Sequence, residues 1–143
     1  MTARTSKARE GGYHVFVSHA GDDIWLAEQF AKCVEECGAT TFLDRRDIEV
    51  GDKFKERIHE EIPRADELVA LFTPWSRNRA WVRHEIGMAD MLKKRIVCVF
   101  YHVDTADFGA DDDGLGPLEG LNIVDINDTA AYFKGLKRRV SKR

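Results

Sequence analysis

Five short apolar runs alternate with amphipathic segments along the chain, and this alternation is the strongest constraint on its fold. The runs are rich in β-branched and aromatic side chains and are bounded by glycine, proline or charged residues, as strands commonly are. They cover residues 13–18, 39–43, 67–72, 95–101 and 121–126. The fourth run, RIVCVFY, lacks polar alternation, as expected for a strand covered on both faces. Strands that alternate with helices predict a parallel sheet with right-handed crossovers and helices on both sides.

The segments between the runs carry apolar residues three or four positions apart, which is the spacing of one helix face. They predict helices over residues 24–37, 52–63, 80–90 and 129–140. Gly38 is expected to end the first helix and Pro63 the second. An aspartate of the 19–23 loop is expected to cap the first helix. Residues 104–120 hold five Asp and four Gly, and they predict a long surface loop.

Length and composition are those of a single globular domain. The chain has 143 residues, of which 43% are hydrophobic and 33% charged. No apolar run approaches the ~20 residues of a membrane helix, and the basic, polar start of the chain is unlike a secretory signal. We expect a disordered lead-in over 1–11, one domain over 12–140 and a basic tail over 141–143, in a cytoplasmic protein.

Charge is distributed unevenly along the chain. The formal net charge is −3, with +2 on residues 1–10, +6 on residues 134–143 and therefore −11 on the body between them. The basic ends suit nucleic acid or acidic lipid, but the acidic body argues against a nucleic-acid groove. We expect neither a nucleic-acid partner nor a membrane partner.

The cysteine and histidine patterns do not predict a metal site. The cysteines are Cys33, Cys37 and Cys98. No further Cys or His spacing completes a zinc set with them, so we expect buried free thiols in a reducing compartment. His84-Glu85 begins the HExxH pattern of zinc proteases, but Met88 stands where the second His belongs. No metal is predicted.

One glutamate on the predicted third helix has apolar neighbours. The positions three and four away from Glu85 hold Trp81, Val82, Met88 and Ala89. An ionised carboxylate in such surroundings costs several kcal/mol unless a group pairs with it. From this window alone, Glu85 either lies at the edge of the apolar stripe, bonds to nearby backbone or Arg, or has a function.

The predicted topology places this glutamate beside a ligand crevice. In open α/β sheets, ligands bind outside the carboxyl ends of the strands. Here that edge comprises residues 18–22, 44–51 and 73–78, with the first turns of the helices that follow. Glu85 belongs to the second turn of such a helix, and this position favours a functional role.

Three stretches of sequence, in the right order and on the right elements, resemble one family. FVSHAGDD at 16–23 resembles the first sequence box of Toll/interleukin receptor (TIR) domains, closest to that of bacterial stand-alone members. FLDRRDIEVGD at 42–52 resembles the family's loop after the second strand, and WVRHE at 81–85 has the Trp-x-x-x-Glu spacing of its third helix. The resemblance covers about residues 12–140. It implies a flavodoxin-like three-layer α/β sandwich whose five-stranded parallel sheet has the order 2-1-3-4-5.

The resemblance implies NAD+ cleavage at the nicotinamide–ribose bond, giving nicotinamide and ADP-ribose or a cyclic isomer. NAD+ is then the substrate, and no cofactor is required. In NAD-cleaving TIR domains the helix glutamate is catalytic, so the resemblance assigns Glu85 that role and makes Trp81 part of the pocket wall. Small bacterial relatives often serve antiphage immune signalling. Other TIR domains are non-catalytic assembly modules that act by homotypic contact, and this is the main alternative.

Other substrate-binding residues are assigned by position in the family pattern. Ser18 and His19 end the first strand, where they can meet phosphate or ribose. Enzymatic animal relatives carry arginines just after this serine, whereas this chain has Ala20 and Gly21, so phosphate charge is expected to be met from the 44–51 loop. Relatives also use that loop to contact a neighbouring subunit, which implies self-association. The candidates on it are Asp44, Arg45, Arg46 and Glu49.

Two other families share the alternation of strands and helices. A phosphoacceptor receiver domain needs an Asp at the end of the third strand and a Lys after the last, where this chain has Thr73-Pro74 and Asn127-Asp128. A nucleoside 2-deoxyribosyltransferase-like enzyme has both the sheet topology and a glutamate nucleophile. The three sequence stretches favour the TIR family, and deoxynucleosides tested as substrates distinguish the two.

Overall fold

The computed structural model describes residues 12–43, 54–76, 80–103 and 122–143, with the backbone alone at 54, 55, 80 and 81. Its elements alternate as predicted. The strands are β1 (His14–Ser18), β2 (Thr40–Leu43), β3 (Glu67–Phe72), β4 (Arg95–Phe100) and β5 (Asn122–Asp125). The α-helices in these ranges are α1 (Ile24–Glu36), α2 (Phe54–Arg64), α3 (Ala80–Met91) and α4 (Ala130–Ser141).

The strands pair in parallel in the order β2-β1-β3-β4-β5, which confirms the predicted flavodoxin-like sheet. The longest register joins β3 to β4, from Glu67 opposite Arg95 to Phe72 opposite Phe100. The two strands β1 and β3 are buried along their whole length. Because all strands point the same way, their carboxyl ends meet at one edge of the sheet.

Alternate residues of each strand face opposite sides of the sheet, and each side has its own core. One side packs on α2 and α3; its strand residues are Phe16, Phe42, Leu68, Ala70, Phe72, Ile96, Cys98, Phe100 and the half-buried Ile123. The other packs on α1 and α4; its buried strand residues are Val15, Val17, Leu43, Val69, Leu71, Val97 and Val99. The chain is therefore a three-layer sandwich, and the position of a residue in its strand decides which helix layer it meets.

The C-terminal end of α1 was predicted correctly from the sequence, and the cap at its N-terminal end was not. Gly38 follows the helix with a φ of 99°, so it terminates α1 in the left-handed conformation that favours glycine, as expected. Asp23 stands at the start of α1, but its side chain makes no capping bond. It accepts a hydrogen bond from Thr73 Oγ1 instead. The predicted aspartate cap is therefore wrong.

The end of α2 lies beyond its proline. Pro63 is inside the last turn, because the helix continues to Arg64. The N–H of Ala65 reaches the carbonyl oxygens of Glu61 and Ile62 at 3.2 and 3.1 Å, and these bonds complete the turn despite the missing donor of the proline. The prediction that Pro63 closes the helix is wrong by one residue.

The cysteines are free thiols, but they are not all buried. Cys98 lies in the core on β4, and burial raises the pKa of its thiol to about 12. Cys33 is exposed and Cys37 half-buried. The expectation of buried thiols is therefore wrong for Cys33, because that residue lies on the outer side of α1, away from its buried residues Ala27, Phe30, Ala31 and Val34.

A buried glutamate anchors α4 at the amino edge of the sheet. Glu67 is fully buried and accepts hydrogen bonds from the hydroxyls of Tyr13 and Tyr132. Arg139 adds two parallel bonds, from Nε and Nη2, at 3.0 and 3.2 Å. This paired geometry is the strong form of an arginine–carboxylate contact, and it ties the last helix to β3.

Several predicted segments lie outside the described residues. They are the lead-in 1–11, the loop 44–51 and the acidic loop 104–120. Among the helices that the structure does describe, none is long and apolar enough to cross a membrane.

Candidate functional site

The hydroxyl of Ser18 and the carboxylate of Glu85 meet at the carboxyl edge of the sheet. Ser18 Oγ donates a hydrogen bond to Glu85 Oε1 at 2.5 Å. Neither residue has any exposed surface. The alternative that places Glu85 at the edge of the apolar stripe is therefore wrong, and a side-chain hydroxyl is among its partners.

Strand and helix periodicity bring these two residues together. Ser18 is two residues beyond Phe16 and shares its side of the sheet, which packs against α3. On α3, Val82 lies three residues before Glu85 and Ala89 four after it, and both are fully buried. Glu85 thus projects from the buried face of α3 towards the end of β1.

His19 follows Ser18 and is also buried. Its Nδ1 lies 2.8 Å from the backbone oxygen of Ala20. Because a carbonyl oxygen can only accept, Nδ1 carries a proton in this contact. The structure places Ser18 and His19 at the end of β1, next to the crevice.

A second buried polar cluster joins the loops after β1 and β3, and it contains residues that the sequence analysis did not single out. Thr73 Oγ1 donates to Asp23 Oδ2 at 2.8 Å, and the backbone N–H of Thr73 donates to Ser76 Oγ at 2.8 Å. Burial raises the pKa of Asp23, and the bond from Thr73 opposes this shift. The sequence signal for this cluster was the presence of hydroxyl and carboxyl side chains just after the ends of two strands. The cluster fixes the two crevice loops relative to each other.

The side chains of the other predicted site residues lie outside the described part of the chain. The backbone of α3 puts Trp81 one turn before Glu85, and its side chain is not described. Both the backbone and the side chains of four further predicted residues lie outside the described ranges: Asp44, Arg45, Arg46 and Glu49. At the same edge, Trp25 in the first turn of α1 and Trp75 after β3 are exposed.

A metal-binding cluster is not found in the part of the chain that the structure describes. No three His, Cys, Asp or Glu side chains in those ranges are close enough together to hold an ion. The described residues at this edge include the buried carboxylate of Glu85, the hydroxyl of Ser18 that bonds to it and the imidazole of His19.

Comparison with known sequences gives a family match over most of the chain. The sequence model of the TIR domain family matches residues 15–140. A protein of Brachypodium distachyon named "Probable 2' cyclic ADP-D-ribose synthase BdTIR" is 29% identical over 100 residues. That match covers 68% of this chain and 45% of the relative, so the chain spans less than half the length of the curated relative.

Solved structures share the fold at low sequence identity. The TIR domains of the activated Roq1 resistosome, which directly recognises the pathogen effector XopQ, have a TM-score of 0.65 at 18% identity, covering 91% of this chain and 98% of that chain. The CMP N-glycosidase BcmB of Clostridium botulinum has a TM-score of 0.57 at 19% identity, covering 88% of this chain and 98% of that chain. Because the family model matches residues 15–140 and the sheet has the strand order expected of such domains, the chain belongs to the TIR domain family.

Proposed function

We propose that this chain cleaves NAD+ at the bond between nicotinamide and ribose, with Glu85 as the catalytic residue. The observation that carries the proposal is the fully buried carboxylate of Glu85, oriented by Ser18 at the carboxyl edge of the sheet. The fold alone needs no carboxylate there, since an apolar residue avoids the cost of desolvating a charge. Local departures of this kind from good core packing are typical of functional sites.

The proposed reaction requires one negative charge beside the ribose. Nicotinamide leaves as a neutral pyridine, so its departure needs no general acid. Positive charge develops on the ribose ring as the bond breaks, and a preorganised carboxylate stabilises it. Glu85 suits this role because Ser18 already fixes the position of Oε1. A single carboxylate then suffices, in contrast to the carboxylate pair of ordinary glycosidases.

The remaining site residues have supporting roles in this proposal. Trp81 lies one turn before Glu85 and supplies a flat wall for the nicotinamide ring or the sugar. Ser18 and His19 border the ribose and phosphate positions at the end of β1. The 44–51 loop completes the pocket, and its two arginines neutralise the pyrophosphate charge. The residues proposed on this loop are Asp44, Arg45, Arg46 and Glu49.

Access to the carboxylate requires a rearrangement at the crevice. Glu85 and Ser18 have no exposed surface, so a ribose reaches Oε1 only after neighbouring side chains move apart. We connect this step to assembly, since the Roq1 TIR domains are part of a resistosome. In our proposal the chain self-associates through the 44–51 loop, and contact with a second copy completes the pocket.

The product and the biological setting are proposed by analogy with relatives. The name of the Brachypodium distachyon protein refers to synthesis of a 2′ cyclic ADP-ribose. We propose that this chain likewise releases nicotinamide and forms ADP-ribose or a cyclic isomer, as a cytoplasmic signal in bacterial antiphage defence.

Incubation of the purified protein with NAD+, followed by chromatography of nicotinamide and of the adenine-containing product, tests the proposal. We expect nicotinamide release by the wild type and its loss in Glu85→Gln. Asp90→Asn is the matched control, because it removes an exposed carboxylate from the same helix. A folded, self-associated protein that releases no nicotinamide would instead support a non-catalytic assembly module. Release of a base from deoxynucleosides would support a deoxyribosyltransferase-like activity.

A further inference from the structure

A cleft of about 270 Å³ lies between α4 and the outer strands β4 and β5. It is on the side of the sheet covered by α1 and α4, whereas α3, which carries Glu85, packs on the other side. The cleft is therefore separate from the crevice described above. Three of the six polar residues that line it are arginines; the six are Arg95, Asn122, Asp128, Tyr132, Arg138 and Arg139.

One of these arginines is held in place by a buried carboxylate. Nε and Nη2 of Arg139 donate to the two oxygens of Glu67, whose position is also fixed by the hydroxyls of Tyr13 and Tyr132. These bonds occupy one edge of the guanidinium. The third nitrogen, Nη1, is directed towards Gly135, which lines the cleft. A preorganised cation with further N–H donors thus borders the cleft.

Gly135 allows two guanidinium groups to cross the backbone of α4. A Cβ at this position would lie 3.2 Å from Nη1 of Arg139 and 3.7 Å from Nη2 of Arg138, so the two cationic groups converge on one point. Glycine inside a helix is unfavourable, and Gly135 does not have a positive φ. A Cβ here would crowd Nη1 of Arg139, whereas Arg138 would stay at an ordinary contact distance.

We propose that this cleft binds a phosphate monoester of mononucleotide size, whose phosphate contacts Arg95, Arg138 and Nη1 of Arg139. Guanidinium groups present paired donors that match phosphate geometry, and they stay charged at any accessible pH. The volume of about 270 Å³ is just below the usual range of small-molecule sites, which begins at about 300 Å³, so a mononucleotide suits the cleft better than a dinucleotide. The acidic residue of the lining, Asp128, precedes α4 and lies roughly 15 Å along the helix from Arg138. The carboxylate of Glu67 balances the charge of Arg139, so the positive charge at the arginine end comes from Arg95 and Arg138.

Isothermal titration with AMP, pyrophosphate and inorganic phosphate, at constant ionic strength, tests the proposal. We expect AMP to bind and Arg138→Ala to weaken its binding about ten- to hundredfold, as loss of a charged hydrogen bond does. Lys142→Ala is the matched control: it removes an exposed positive charge near the same end of α4 that does not line the cleft, and its Kd for AMP should equal that of the wild type. In ¹⁵N NMR spectra, AMP should shift the amide signal of Gly135.

A second variant separates binding from stability. Gly135→Ala places a methyl group against Nη1 of Arg139 while improving helix propensity. We therefore expect it to weaken AMP binding at least tenfold without lowering the melting temperature. Equal affinity for AMP in wild type, Arg138→Ala and Lys142→Ala would overturn the proposal. The proposal would also be overturned if sodium chloride raised the melting temperature as much as AMP does. It would likewise be overturned if none of the three probes bound at millimolar concentration.

Discussion

The hydroxyl of Ser18, at the end of β1, donates a 2.5 Å hydrogen bond to the carboxylate of Glu85, in the second turn of α3, across 67 positions of sequence. Both residues are fully buried, and the bond joins a strand end to the helix that packs beside it. A charge held in this way has little freedom to reorient. The arrangement suits a group that must face a developing positive charge without reorganising.

The first prediction concerns the charge of Glu85. Glu85→Gln keeps the size of the side chain and an oxygen that can accept from Ser18, so we expect the fold to be retained. Loss of a preorganised charge at the reacting centre should lower the rate of NAD+ cleavage by ~10²–10³-fold. Nicotinamide release and circular dichroism measure the two effects. Wild-type turnover in this variant would remove Glu85 from the reaction, and an unfolded variant would indicate a structural role.

The second prediction concerns the hydroxyl of Ser18. Ser18→Ala removes a donor from a buried carboxylate, which should lower the free energy of unfolding by about 1–3 kcal/mol. Turnover should fall by up to ~100-fold, since small misplacements at a reacting centre have effects of this size. Urea denaturation and nicotinamide release measure the two quantities.

A double-mutant cycle tests whether Ser18 acts through Glu85. If it does, the effect of Ser18→Ala on turnover should largely disappear in the Glu85→Gln background, because the effects of mutating two interacting residues do not add. Fully additive effects on turnover would show that Ser18 affects catalysis independently of the carboxylate.

The third prediction concerns Trp81. Its backbone position is one turn before Glu85 on α3, and we propose that its ring forms a wall of the pocket. Trp81→Ala should raise the KM for NAD+ and lower kcat, because both ring packing and the placement of Glu85 would loosen. Trp25→Ala serves as a control for the loss of an exposed indole at the same edge of the sheet. Unchanged kinetics in a Trp81→Ala variant of wild-type stability would place the ring outside the pocket.

The fourth prediction concerns stability in alkaline solution. Burial, followed by the neighbouring Glu67 carboxylate, raises the pKa of Tyr13 from 10.0 to about 12. In the unfolded chain this phenol ionises near its ordinary pKa, so between about pH 10 and 12 the folded state binds more protons. The free energy of unfolding should therefore fall in this window, by about 1.4 kcal/mol per pH unit from this group. Urea denaturation from pH 9 to 11.5 should give a smaller fall for Tyr13→Phe, and an identical fall would contradict the assignment.

The fold was predictable because its signals are local. Apolar runs and helix spacing report burial directly, and the run RIVCVFY contains the whole of β4, which is covered on both sides. Gly38 marks the end of α1 for the same reason, since the left-handed conformation there favours glycine whatever lies around it. The strand order followed from the family resemblance and is the one observed.

The pairings inside the site were not predictable, because they join residues far apart in the chain. The sequence pattern places Ser18 and Glu85 at the crevice separately, and only the packing of α3 on β1 makes one the partner of the other. Asp23 has the right position for a helix cap, but the loop after β3 brings it the hydroxyl of Thr73, 50 positions away. A local propensity is overridden when tertiary structure supplies a better partner.

The fifth prediction concerns assembly. Glu85 has no exposed surface, and we propose that the 44–51 loop contacts a neighbouring subunit, as the resemblance to TIR domains implies. We expect the isolated monomer to be poorly active, and specific activity to rise with protein concentration as copies associate and complete the pocket. The net charge of −11 on residues 11–133 opposes association, so moderate salt should favour it by screening over ~8–10 Å. Activity assays and light scattering over a hundredfold concentration range measure both quantities.

Gly51→Pro tests the role of the loop in that assembly. Proline restricts the backbone at the end of the loop, so the variant should lose both self-association and activity while the melting temperature is unchanged. Gly114→Pro is the matched control, because it makes the same change in the acidic 104–120 segment and should retain both. Constant specific activity from a protein that stays monomeric over the whole range would rule out activation by assembly. Loss of activity in both variants would show that the 44–51 loop has no special role.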